Sequence, residues 1–372
     1  MRQRPPPRSG FALATALLSL GLIGALVTGT FFIARYEQRT GTDVLSATRA
    51  FTVAELGVDA AMTRWDREWN VTMQRGDRRT AHPTDLEAAS AITEVVRLDN
   101  QLFLVSSEGR SGPARRVVRR YVALTVPEPT LTSAAALGGA ATIEGTTQID
   151  GTDRAPDGWF CPDPESPVAG IATPDSALVA TSGCTLGPCV KGTPPIAPDS
   201  ALRAPVAFLR VGDLDWSELA RRASVTVEGT VSPRPSEREG ACDVEDPHNW
   251  GDPQRPGDGV CPNHFALVHA SSDLTIDGGR GQGILLVDGD LTIQGGFDFA
   301  GMVMVRGALH SGGSGARITG ALTVGAADSS TVSTLRELVV HFSRCAVYAA
   351  MLGSALPAPI AERSWFEAVD GQ

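Results

Sequence analysis

The chain has 372 residues, enough for more than one domain and a sizeable core. Its 40 Gly and 25 Pro, set against three Tyr and twelve Phe, argue against a helical bundle and for many turns and short strands. A net charge of −10 argues against nucleic acid as a partner, because phosphate binding needs clustered Lys and Arg; it reads as a solubility feature.

Residues 1–10 form a basic leader with Arg2, Arg4 and Arg8 and no acid. Residues 11–34 then run for 24 positions without a charge. At about 1.5 Å per residue, a helix of that length crosses a hydrocarbon core of roughly 30 Å. The positive-inside rule puts the N-terminus in the cytoplasm and the body outside, although Arg35 and Arg39 weaken the asymmetry beside Glu37 and Asp43. Three readings compete for this segment. A cleaved secretory signal would have a shorter apolar region and an A-x-A-like site. An uncleaved anchor is the second. The third, which the residues favour, is a prepilin-type signal: the leader ends in Ser9-Gly10, and Phe11-Ala12-Leu13 starts the apolar run at once. The processing site would then be Gly10-Phe11, on the cytoplasmic side, and the helix would be kept. Thr15 stands five positions after Gly10, where major pilins carry Glu. A carboxylate in lipid is costly unless paired, so Thr15 suits a rare subunit better than a repeated one.

Residues 35–70 continue as an amphipathic helix, with Leu45, Phe51, Ala54, Val58, Met62 and Trp65 at three- and four-residue spacing. Thr42 or Asp43 is a candidate cap, and Gly41 and Gly57 are candidate bends. The stripe from Phe51 to Trp65 is expected to pack on the protein's own body. Residues 71–126 read as an antiparallel β-meander, with strands at 91–98, 101–106 and 116–126. Arg115, Arg116, Arg119 and Arg120 read as a solvated strand face.

Residues 127–263 are rich in Gly, Pro and Cys and irregular, with possible early coils around Ile143 to Gly151 and a short amphipathic helix at 213–222. Residues 264–326 carry an internal repeat. Asp273-Leu274-Thr275-Ile276 returns as Asp290-Leu291-Thr292-Ile293, and Gly283-Ile284-Leu285-Leu286-Val287 returns as Gly301-Met302-Val303-Met304-Val305. A period near 18 with Gly at the bends predicts a β-solenoid, whose stacked coils bury a continuous apolar column; a flat hairpin sheet is the rival. Residues 327–372 are expected to form a C-terminal helical cap, with helix over 331–350 covering the open sheet edge. The fold class is α+β, mostly β.

Six cysteines on the external side read as disulfides. The candidates are Cys161, Cys184, Cys189, Cys242 and Cys261: Cys242 with Cys261, and two of the other three together. Cys345 is expected to be free. Zinc held by Cys242, His248, Cys261 and His264 is the rival, with a spacing unlike a standard finger. No catalytic motif stands out, and no cofactor or metal is expected. Asp273, Asp277, Asp288, Asp290 and Asp298 resemble the acid clusters of glycan-active solenoids, but they sit beside Gly and read first as turn residues.

Arg8-Ser9-Gly10-Phe11, Arg49-Ala50-Phe51 and Ala54-Glu55-Leu56-Gly57 together resemble the N-terminus of PilX-type pilus-assembly proteins, which are minor pilin-like proteins. The stretch from Gly283 to Leu291 is similar to the β-rich C-terminal part of long bacterial members. The resemblance implies a non-enzymatic, low-copy subunit of a type IV pilus or secretion pseudopilus. It implies a prepilin peptidase, other pilins and the inner membrane as partners, with the body periplasmic or at the cell surface for assembly priming or adhesion to a ligand that is not identified. A membrane-anchored glycan-active enzyme and a static anchored scaffold are the alternatives.

Overall fold

The computed structural model describes residues 11–184, 186–208, 210–254, 259–313, 315–325, 332–361 and 365–368. The basic leader and Gly10 lie outside the described residues. Helix α1 (Phe11–Thr63) runs unbroken for 53 residues, about 80 Å at the standard rise. Its first half is apolar and exposed, with Leu13, Leu17, Ile23 and Phe31 uncovered, and it is long and apolar enough to cross a membrane. Its few polar side chains turn back on the helix: the hydroxyls of Thr15 and Thr28 donate to the carbonyls of Phe11 (3.1 Å) and Gly24 (2.7 Å). Such internal pairing is what lipid demands of a polar group. Gly41, a candidate bend, lies inside this continuous helix. Thr42 is mid-helix, its hydroxyl donating to the carbonyls of Gln38 and Arg39 rather than capping a start.

The second half of α1 packs on an antiparallel sheet whose central strands are Ala89–Arg97, Leu102–Ser111 and Ala114–Thr125. Ala54, Val58, Ala61 and Trp65 share a core with Val95, Phe103, Val105, Val118 and Val122. Gly57 is a contact point rather than a bend. A side chain there would overlap the Ser107 hydroxyl, which accepts a hydrogen bond from Thr93 in the buried sheet face. Gly109 does the same from the sheet side, lying directly under the Ala50 carbonyl. Short α2 (Glu68–Thr72) follows and presents Asn70, fully buried. The Asn70 amide donates to the carbonyls of Leu352 (2.9 Å) and Ala355 (3.0 Å), and its oxygen accepts from the Trp65 indole (2.7 Å). Late in the chain, Leu356–Pro359 and Trp365–Ala368 return to pair with Ala114–Thr125.

The rest is one curled sheet of parallel strands stacked in tiers. Residues 274–287 pair in register with 291–305, so Leu274 lies on Leu291, Ile276 on Ile293 and Val287 on Val305. These in turn pair with Leu309–Gly312 and Ala316–Val324, and those with Ser333–Arg336 and Leu338–Phe342. Every pairing in this stack is parallel, which excludes the hairpin sheet. Each tier has three stretches, and alternate side chains point inward. The column Leu285, Val303, Leu322, Ala135, Ile171 and Ile196 runs through six tiers. Full burial of each large aliphatic in it is worth about 1.5–3 kcal/mol, and only stacking provides that burial.

Spatial order is not chain order. The next tier after Leu338–Phe342 is made by Ala141–Glu144 and Gln148–Asp150, from much earlier in the chain. Val179–Ser182 and Val190–Lys191 add one more. At the opposite end, Val225–Val231 pairs with Ala266–Val287. There Trp250, fully buried, sits over Gly281 and beside Phe297, and the carbonyls of Pro233 and Trp250 accept from the amides of Arg280 and Gln282. A loop thus satisfies the open edge.

The helix expected over 331–350 is corrected by this arrangement. Its first part is two strands that complete a tier, because Leu335, Leu338, Val340 and Phe342 alternate inward. Only α5 (Arg344–Ser354) is helical, starting where the Ser343 hydroxyl accepts from the Ala346 amide. It covers a side of the stack, not an end. Ala346, Val347, Ala350 and Met351 are buried there, and three of them share a core with Ile284, Leu286, Met302, Met304 and Ala321. The approach is possible because Gly283, Gly301 and Gly320 stack in register, with φ of +124°, +134° and +149°. Short α3 (Leu186–Cys189) lies in the outermost tier, and α4 (Trp216–Arg221) lies beside α5, its start capped by Asp215 accepting from the Glu218 amide.

Candidate functional site

Three regions carry the residues singled out from sequence. The first is the exposed half of α1. Phe11 is its first described residue and is exposed; Gly10, its partner in the expected processing site, lies outside the described residues.

The second is the set of cysteines. Cys242 bonds to Cys261 and Cys184 to Cys189, while Cys345 is not free but bonds to Cys161 across 184 residues. The Cys345 pairing was hidden because the strands before α5 carry it back beside the loop that holds Cys161. With both sulfurs bonded to each other, Cys242 and Cys261 have no thiolate to offer zinc. Among the described residues no group of three or more His, Cys, Asp or Glu is arranged to hold a metal. His264 is buried instead in the junction between the two sheets. Desolvation first, then the Arg67 guanidinium, lowers its pKa to about 4, against a hydrogen bond at Asn249 that raises it.

The third region is the tier surface. Asp273 Oδ1 accepts from the Asp290 amide (2.8 Å), and Asp290 Oδ1 accepts from the Ala308 amide (2.7 Å). Each of these turn carboxylates holds the turn of the following tier. Asp288 anchors α4: its Oδ1 accepts from the Trp216 indole (2.6 Å) and Arg306 (3.2 Å), and its Oδ2 lies 3.1 Å from His269 Nε2. Asp277 stands at a turn, where its carbonyl accepts from Ser232.

Asp298 differs from the other four. It belongs to a column of outward side chains, Arg280, Asp298 and Arg317, on successive tiers. Beside it runs a second column, Ala300, Thr319, His341 and Asp150. Two loops wall these columns, one at 154–158 and one at 253–254, and together they enclose a groove of about 640 Å³. The Trp159 indole donates to the Pro253 carbonyl (2.9 Å) and ties the loops to each other. Arg154 leans on Asp150 (2.7 Å), and Arg317 lies 3.8 Å from the fully exposed Asp157. Burial, then the Arg154 guanidinium, holds the His341 imidazole below its ordinary pKa. Sequence reasoning missed Arg154, Arg317 and His341. Their spacings of 19 residues from Asp298 to Arg317 and 22 from Thr319 to His341 depart from the 18-residue repeat, so no regular signal aligned them. The arginine stripe is solvated and paired: Arg115 with Glu108, Arg116 with Glu367 and Arg120 with Asp59.

No family model matches the chain, and no curated protein matches it either. Among solved structures, it aligns with the competence-associated pilin ComZ from Thermus thermophilus at 14% identity, over 87% of this chain and 98% of that one, with a TM-score of 0.25. At that score the alignment carries no argument about function.

Proposed function

We propose that this chain is a non-enzymatic, minor pilin-like protein of a type IV pilus or related pseudopilus, anchored in a bacterial inner membrane with its body outside the cytoplasm. The observation that supports this reading is the division of α1. Its first half is apolar on every face and has no cover from its own chain among the described residues, while its second half is locked into the antiparallel sheet. A helix that is apolar all round needs lipid or other helices around it. Cleavage after Gly10 by a prepilin peptidase would free such a helix to move from lipid into a bundle of pilin helices. Thr15, with its hydroxyl turned back to the helix, brings no buried carboxylate to that bundle, which fits a rare subunit. The curled sheet, read as a β-solenoid, would be the displayed part, for assembly priming or adhesion. Most of its turn acids hold the fold together, which supports a binding role over catalysis.

Intact-mass analysis of the protein purified from membranes tests the reading. An N-terminus at N-methylated Phe11, lost when Gly10→Ala is introduced, is the expected result. A retained Met1, or processing unaffected by Gly10→Ala, refutes it.

A further inference from the structure

The groove on the tier surface has the makings of a ligand site, independent of what α1 does. The centre of its floor is the half-buried Thr319, with the buried Ala300 on the neighbouring tier. The backbone of that floor is used up in tier pairing, so recognition falls to side chains. Among the described residues its floor offers no free strand edge, which is what extended peptides use. The volume of about 640 Å³ lies within the range of small-ligand pockets.

The polar groups sort by tier. Asp298 stands between Arg280 and Arg317, with Gln254 bonded to Asp298 (3.4 Å) and Arg280 (3.3 Å), and His341 and Arg154 lie beyond Arg317. Arginine at such a site recognises carboxylates through its planar fork. Arg317 already has a carboxylate beside it, that of Asp157, but at 3.8 Å and in full solvent that pair is weak and exchangeable. The Asp298 carboxylate suits sugar hydroxyls as donors, whereas the Gln254 oxygen already accepts from Arg280 (3.3 Å).

The geometry points to this groove as a binding site for an acidic saccharide, with a sugar ring over Thr319, its carboxylate held by Arg154, Arg317 and His341, and its hydroxyls by Asp298. A bound carboxylate also offsets the repulsion that Arg154 and Arg317 exert on a protonated His341; Asp150 and Asp157 already act in that direction.

The test is calorimetric titration of the full chain in detergent with short oligomers of galacturonate and of mannuronate. Neutral galactose oligomers and inorganic phosphate serve as comparisons. Saturable binding of a uronate oligomer is expected, weakened at least about tenfold in Arg317→Gln, since a charge-assisted pair is lost. Thr319→Trp fills the floor and removes binding, while Arg119→Gln, on the other sheet, leaves it unchanged. Circular dichroism confirms that each variant is folded. The proposal is overturned if neither uronate binds at millimolar concentration. It is equally overturned if neutral oligomers or phosphate bind as well as the uronates, or if folded Arg317→Gln and Thr319→Trp bind like wild type.

Discussion

Gly301 offers the sharpest test of how the stack is built. It sits at φ +134°, where an L side chain is strained, between Gly283 and Gly320 on the neighbouring tiers. A Cβ at Gly301 would overlap the Gly283 carbonyl and come within 3.1 Å of the Ala350 Cβ on α5. The backbone strain costs about 1–3 kcal/mol. Overpacking against a backbone atom and a helix adds about 1–3 kcal/mol. Gly301→Ala should therefore destabilise by about 2–6 kcal/mol, lowering Tm by roughly 4–24 °C for a body of this size. Thermal unfolding of the detergent-solubilised chain, followed by circular dichroism, measures this. Gly312→Ala is the control, because a Cβ there meets nothing within 4 Å and its φ is ordinary; it should leave Tm within about 2 °C of wild type. If Gly301→Ala melts like the control, the tiers do not close on α5 as described.

Other outcomes follow from the same structure. Asn70→Leu removes the partner of the Trp65 indole and of the Ala355 carbonyl, and one of two donors to the Leu352 carbonyl, and should cost about 2–6 kcal/mol in urea unfolding; a loss under about 1 kcal/mol would contradict the buried hub. Because the folded His264 pKa is about 4 against 6.5 for the free side chain, the unfolded chain binds the extra proton as pH falls. Stability from this group is intact above pH 6.5 and is lost on acidification toward pH 4, by about 3 kcal/mol in all. His264→Gln should flatten that part of the urea-midpoint profile between pH 7 and pH 4, and an unchanged slope would remove His264 as the cause. Replacing Cys161 and Cys345 together with Ser should cost about 2–5 kcal/mol. Reductant should cost the wild type more than the double variant, which keeps Cys184–Cys189 and Cys242–Cys261, and an equal loss in both would refute the Cys161–Cys345 bond.

Much of the fold is legible in the residues themselves. The apolar run of 11–34 and the stripe from Phe51 to Trp65 are local periodicities, and each specifies a helix face without help from elsewhere. The repeat of Asp273 to Ile276 and Gly283 to Val287 encodes parallel stacking for the same reason: identical tiers put Leu on Leu and Gly on Gly. Asp273 and Asp290 read correctly as turn residues because their hydrogen bonds are made one tier away, at the repeat spacing. Continuity of α1 through Gly41 agrees with the reading of 35–70 as a continuation of the apolar helix, since a glycine with open space around it costs a helix about 1 kcal/mol and does not break it.

What the sequence alone determines here is therefore whatever depends on near neighbours or on a fixed repeat: the apolar helix, the meander, the tier period and the stacked glycines. The tertiary structure decides which distant segments meet. Ala141–Asp150 follows Leu338–Phe342 in the stack because its inward Ile143 and Ile149 complete the columns of Leu335 and Val340. That placement turns the expected helix at 333–342 into strand, since an alternating segment beside an open tier gains more by pairing than by coiling. It also carries Cys345 to Cys161 and aligns Asp298, Arg317, Thr319 and His341 on one face. Contacts of this kind are bought with long-range burial, and no local pattern records them.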